Sequence, residues 1–150
     1  MKNILYIAAA LSFAAPTQLS AHCQVPCGIF DDQNVIDAMG TDVVTIEKAA
    51  QQIVELSKDP AANAQQIVRW TNNKESHAQS IQEKVLNYFL AQRLKLPETD
   101  ADKELYAKKL ALSHEVIVAA MKCKQSTDPA TVAKLKELMV TFGEMFGSHE

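Results

Sequence analysis

The sequence is poor in the residues that build loops and phosphate sites: of 150 residues only four are glycine, and none of them sits in a phosphate-cradling loop. Basic runs are missing, as is any interleaving of basic with aromatic residues. With a net charge of -3, nucleic acid is not an expected partner. Beyond the first 21 residues no apolar run is long enough to cross a bilayer, and no stretch alternates apolar and polar residues as a half-buried strand would. Internal repeats and low-complexity tracts are absent too. What is present is ordinary for a globular chain, 47% hydrophobic and 22% charged, at a length that fits one domain with a sizeable core.

Residues 1–21 do not belong with the rest. Lys2 forms a short positive start, Ile4 to Ala15 is almost uninterrupted apolar sequence, Pro16-Thr17-Gln18 breaks it, and Leu19-Ser20-Ala21 ends on a small residue. This is the pattern of a cleaved secretory signal, and its apolar run is short for a membrane anchor. A lipoprotein signal needs a small residue directly before the modified cysteine, but His22 stands before Cys23. Removing the 21 leader residues from 150 leaves a soluble chain of 129, beginning His22-Cys23 and destined for the periplasm or the medium. Its charge moves from -3 to -4, because the leader takes away one lysine and no acid.

The remainder reads as four amphipathic helices, with apolar residues recurring every three or four positions. The first spans about Asp32 to Ser57, with Val35, Ile36, Met39, Val43, Ile46, Ala50, Ile53 and Val54 on its stripe. Gly40-Thr41-Asp42 is a candidate interruption, since glycine is a poor interior residue and Thr41 or Asp42 can cap a new start. The second begins at Asp59-Pro60, aspartate capping and proline fitting the first turn. It buries Ile67, Val68, Ile81, Val85, Tyr88 and Phe89, ends before Pro97, and invites a kink at Thr71-Asn72-Asn73. The third runs from about Thr99 to Lys124 and buries Leu105, Leu112, Val116, Ala119, Ala120 and Cys123. The fourth repeats the Asp-Pro start at Asp128-Pro129, with Val132, Leu135, Leu138, Met139, Phe142 and Phe146 as core rather than cofactor pocket. Short connections between long helices predict an all-α, up-down antiparallel four-helix bundle over 31–150, with an irregular N-terminal segment over 22–30.

That short segment holds the chemistry. After cleavage, His22, Cys23 and Cys27 crowd the new N-terminus, and the freed amine adds a fourth donor. Mixed nitrogen and thiolate donors suit a square-planar nickel or copper ion better than magnesium or calcium. Pro26 fixes one torsion between the cysteines, and Gly28 lets the backbone turn back behind Cys27. Cysteine spacing alone favours a plain disulfide in an oxidising compartment; the adjacent His22, Pro26 and Gly28 shift the balance to a metal site. A thioredoxin-type redox pair would have two residues between its cysteines, and a c-type haem would need histidine where Gly28 stands.

The run His22-Cys23-x-x-Pro26-Cys27-Gly28, followed by an aliphatic, an aromatic and Asp31, resembles the nickel hook of nickel superoxide dismutases. Fainter agreement comes from Asp59-Pro60, the Arg69…Lys74-Glu75 run and Asp128-Pro129-Ala130-Thr131, so the resemblance extends over the whole 129-residue chain. It implies that the His22 amine, the Cys23 backbone amide and the sulfurs of Cys23 and Cys27 make the equatorial plane, with the His22 imidazole as axial ligand. The implied activity is dismutation of superoxide to oxygen and hydrogen peroxide, with nickel alternating between its divalent and trivalent states. Electron-rich sulfur and amidate donors are needed for this, because aqueous nickel is too hard to oxidise. The resemblance also implies a homohexamer with hooks packed on neighbouring subunits.

Several positions depart from the family pattern. Phe30 stands where tyrosine is usual, keeping the ring near the metal but losing the hydroxyl; Asp32 stands for proline, and Gln24 for an acid. The glutamate and arginine that hold the axial imidazole have Asp37, one residue out of register, and His77 nearest their places. Two other readings stay open on the sequence: an exported nickel or copper binding protein without turnover, and a bundle whose cysteines are merely bridged. His77, His114 and His149 are read as ordinary helix or tail residues.

Overall fold

The computed structural model describes residues 32–147. The leader, the hook residues His22, Cys23, Pro26, Cys27, Gly28 and Phe30, and His149 lie outside the described residues. Four α-helices follow one another: α1 (Asp32–Leu56), α2 (Pro60–Glu83), α3 (Asp100–Gln125) and α4 (Pro129–Phe146). A π-helical segment, Lys84–Arg93, continues α2 without a break. Each α-helix packs on its neighbours in sequence, and α4 closes the ring against α1. The start of α1 meets the end of the π segment at Asp32–Arg93, and the end of α4 at Gly147–Gln33. The helices therefore run up and down as an antiparallel four-helix bundle. Among the described residues there is no strand, and no helix is long and apolar enough to cross a membrane.

The starts follow from local chemistry. Asp59 Oδ1 accepts from the Ala62 amide at 3.2 Å, Asp128 Oδ1 accepts from the Ala130 amide at 2.9 Å, and proline follows each aspartate. Thr99 and Asp102 form a reciprocal capping box at the head of α3. At the tail of α4, Gly147 allows a close approach to α1. A Cβ there would lie 2.7 Å from the Gly143 carbonyl oxygen, 2.8 Å from Gln33 Oε1 and 2.9 Å from Ile36 Cδ1.

The core is the stripe of Met39, Val43, Ile46, Ile81, Val85, Val116, Leu135 and their neighbours, closed at one end by aromatic rings. Phe89 meets Tyr88, Phe142 and Phe146 edge-on at centroid distances of 5.0, 4.8 and 5.1 Å. The Met and Phe stripe of α4 is thus core, as its spacing predicts.

Four expectations need correction. The first helix is not interrupted at Gly40-Thr41-Asp42: Thr41 Oγ1 donates back to the Asp37 carbonyl, and the Asp42 carboxylate reaches across to α2 instead of capping its own backbone. The second does not kink at Thr71-Asn72-Asn73. Its irregularity is the π segment, whose wider turn lets the adjacent Tyr88 and Phe89 both enter the core. Leu105 is exposed, because it lies in the first turns of α3 beside the open connection from Arg93 to Thr99. Val54 and Val68 are exposed as well, and Val35, Ile53 and Ile67 are only partly buried, since the stripes run on past the packed region toward the helix ends.

One buried cation stabilises this arrangement. Lys74, 3% exposed, donates from Nζ to the carbonyls of Cys123, Lys124 and Ser126, the last at 3.3 Å, and so caps the C-terminus of α3 from the middle of α2. Burial pushes its pKa below the usual lysine value, while Glu75 at 3.8 Å pulls it up. Replacing Lys74 by methionine keeps the volume but orphans three carbonyls. A loss of about 2–4 kcal/mol is expected in urea unfolding, and an unchanged midpoint would show that water satisfies those groups as well.

Candidate metal centre

The bundle shows what the N-terminal segment is attached to. Asp32, the first described residue, lies two residues beyond Phe30 and opens α1. Its Oδ1 accepts from the Tyr88 hydroxyl at 2.6 Å, and its Oδ2 accepts from Arg93 Nε at 2.9 Å and Nη2 at 2.7 Å. That carboxylate raises the Arg93 pKa further, through hydrogen bonding first and charge second. Aspartate at this position therefore ties the start of α1 to the end of the π segment, beside the aromatic cluster. Sequence reading missed this contact, because its partners lie 56 and 61 residues away.

Asp37 sits on the exposed side of α1, a little over one turn from Asp32, and its Oδ1 accepts from Gln33 Nε2 at 2.7 Å. His77 is not beside it. Its Nδ1 instead meets Asp42 Oδ1 at 2.6 Å, in a polar cluster between α1 and α2. Asp42 is buried, and its Oδ2 also accepts from Ser80 Oγ at 2.9 Å and Lys84 Nζ at 2.8 Å. Lys84 in turn bonds Ser80. The structure thus separates Asp37 from His77, the two residues nearest the places of the family's imidazole-holding pair. A legible signal for the cluster did exist: His77, Ser80 and Lys84 fall three and four apart, on one helical face.

Among the described residues no three histidine, cysteine, aspartate or glutamate side chains come together to hold a metal ion. Cys123 is wholly buried, and burial raises its thiol pKa against the smaller opposing effects of Thr131 and Lys74, so it is a core residue and not a ligand. His114 is exposed on α3. The bundle offers no donor set to compete with the one at the N-terminus. The sequence ahead of the bundle carries one imidazole, at His22, and two thiols, at Cys23 and Cys27, donor types that suit nickel.

Comparison with known proteins bears on the same question. A family model described as nickel-containing superoxide dismutase matches residues 17–150, a span that includes all the described helices. The chain is 27% identical over 135 residues to the protein named Superoxide dismutase [Ni] of Streptomyces seoulensis, covering 89% of this chain and 92% of that one. No solved structure matches the chain. With the match spanning nearly its full length, the chain belongs to the nickel-containing superoxide dismutase family, oxidoreductases with a nickel cofactor.

Proposed function

We propose that His22, Cys23 and Cys27, freed at the N-terminus by cleavage after Ala21, hold the nickel at which this chain dismutes superoxide. The observation that carries this reading is a full nitrogen and thiolate donor set within seven residues, beside a bundle whose described residues bring no three metal-binding side chains together. Nickel bound there supplies the one-electron couple that oxidises one superoxide and reduces the next.

The protein's own residues do the rest. The His22 amine and imidazole and the thiolates of Cys23 and Cys27 donate electron density, while Pro26 and Gly28 hold the turn that brings them together. Backbone amides behind Cys27 can donate to an incoming anion. Phe30 shields the site with a ring that offers no hydrogen bond, so small anions are held less firmly than a tyrosine would hold them. Asp37 is the residue of α1 proposed to orient the His22 imidazole, and orienting partners of this kind tune both geometry and potential. The leader directs the chain to the periplasm or the medium, so nickel is loaded during or after export. Copies of the chain associate as a homo-oligomer, a hexamer on the family pattern.

The test is superoxide consumption by the chain beginning at His22, refolded with and without nickel, with bound metal counted in parallel. Fast consumption only with stoichiometric nickel is the expected result. Tight binding without turnover would instead make the protein a carrier.

A further inference from the structure

Ten consecutive residues of π-helix, Lys84–Arg93, are unusual, because this winding mostly occurs as single turns, often at functional sites. Its effect here is on which side chains share a face. At 3.6 residues per turn, α winding would set Tyr88 and Arg93 about 140° apart around the axis. Winding bonded five residues back stacks them instead, and the Leu94 amide closes that pattern on the Phe89 carbonyl at 2.8 Å. Both side chains then reach one carboxylate, Tyr88 donating to Asp32 Oδ1 and Arg93 donating twice to Oδ2. Tyr88 is buried and meets Phe89 edge-on, so this clamp is rooted in the core. From the other side, Gly147 leaves room for Gln33, the next residue of α1. The Arg93 side chain is 42% exposed, and an ion pair that open adds little to stability. What the clamp does is fix a position.

We infer that Asp32, held by Tyr88 and Arg93 of the π segment, is a positioning residue for the proposed nickel site. The inference rests on the reading of His22, Cys23 and Cys27 as ligands, and adds bundle residues that act through them. Cys27 precedes Asp32 by five residues, and an extended chain spans at most about 3.6 Å per residue. The Cys27 Cα therefore lies within about 18 Å of Asp32, whatever path the chain takes. A ligand on so short a tether is only as well placed as the residue that anchors the tether. Helix ends fray, and α1 begins at Asp32 itself. Without the clamp the first turn of α1 loosens, the tether gains conformations, and closing the ligands on the ion costs more entropy. Tyr88 and Arg93 touch Asp32, not the ligands, so they too act by position.

The experiment loads the chain beginning at His22 with nickel and follows transfer of the metal to excess EDTA, by loss of the nickel–thiolate absorption, with circular dichroism melting alongside. Asp32→Ala and Arg93→Gln are expected to release nickel about tenfold faster or more, as when an orienting partner of a ligand is removed, with melting little changed. Arg93→Lys keeps a charged donor for Oδ2 and is expected to restore release close to the wild-type rate. Lys136→Gln is the control: it removes an ion pair of the same 2.7 Å length from α1 at Glu47, and should release nickel like the wild type. Should Asp32→Ala disturb the fold, Tyr88→Phe, which removes one hydroxyl and keeps the ring, reads the same clamp. Wild-type release in Asp32→Ala and Arg93→Gln would overturn the inference and leave the ligand reading intact. So would faster release shared by Lys136→Gln, since general loosening and not position would then be the cause. A wild-type chain that takes up no nickel, or keeps it fully in Cys27→Ser, would sink the ligand reading and this inference with it.

Discussion

Changing Cys27 to serine in the chain that begins at His22 removes superoxide consumption and nickel retention together, while the bundle melts as before. Serine matches cysteine in size but stays protonated at neutral pH and offers a hard oxygen where a soft anionic sulfur is needed. The loss should be about a hundredfold at least, because outer partners of a metal ligand already cost roughly 10–100-fold when removed and a direct ligand costs more. Stability is spared because the core of Phe89, Phe142, Ile81 and Leu135 is built within 32–147. Cys123→Ala is the matched control. Its thiol is buried and hydrogen-bonded to Thr131, so its removal is expected to leave activity per bound nickel unchanged. Stopped-flow decay of superoxide, normalised to bound metal, reads both variants; full activity in Cys27→Ser would end the assignment of the hook as the nickel site.

How much could be read from residues alone followed the range of the forces involved. The Asp-Pro starts at Asp59 and Asp128 were legible because a cap is made within three residues of itself. The core stripes were legible in their middles, where Met39, Ile46, Val116 and Leu135 recur at helical spacing, and misleading at their ends, where only the position of a neighbouring helix decides whether Val54 or Leu105 is covered. Contacts across the bundle left no local trace. The π segment and the Asp32 anchor depend on Tyr88 and Arg93 reaching back to the start of α1. Lys74 stood out only within the Arg69…Lys74-Glu75 run, and nothing local to that run shows its burial against the carbonyls of Cys123, Lys124 and Ser126. Asp42 read as a helix cap because aspartate prefers that role, yet His77, Ser80 and Lys84 claim both its oxygens. The proposed donor set is the opposite case: His22, Cys23 and Cys27 are close in the chain before any folding, so that proposal rests on their spacing and not on the bundle.

A chain that keeps Ala21 ahead of His22 should lose activity nearly as fully as Cys27→Ser, although every side chain of the hook is still there. The extra residue turns the His22 nitrogen from a free amine, basic and able to donate a lone pair, into an amide whose lone pair is delocalised. The new amine lies one residue further from the cysteines, so amine and imidazole no longer come from the same residue. Some nickel should stay bound, since the Ala21 amine and the His22 imidazole can still grip the ion, and activity per bound metal is therefore the deciding quantity. A fall of about a hundredfold in that quantity, with bundle melting unchanged, would show that the reaction depends on an exact N-terminus as well as on two thiolates. Activity equal to that of the chain beginning at His22 would mean that the terminal amine is no ligand, and that cleavage after Ala21 serves export alone.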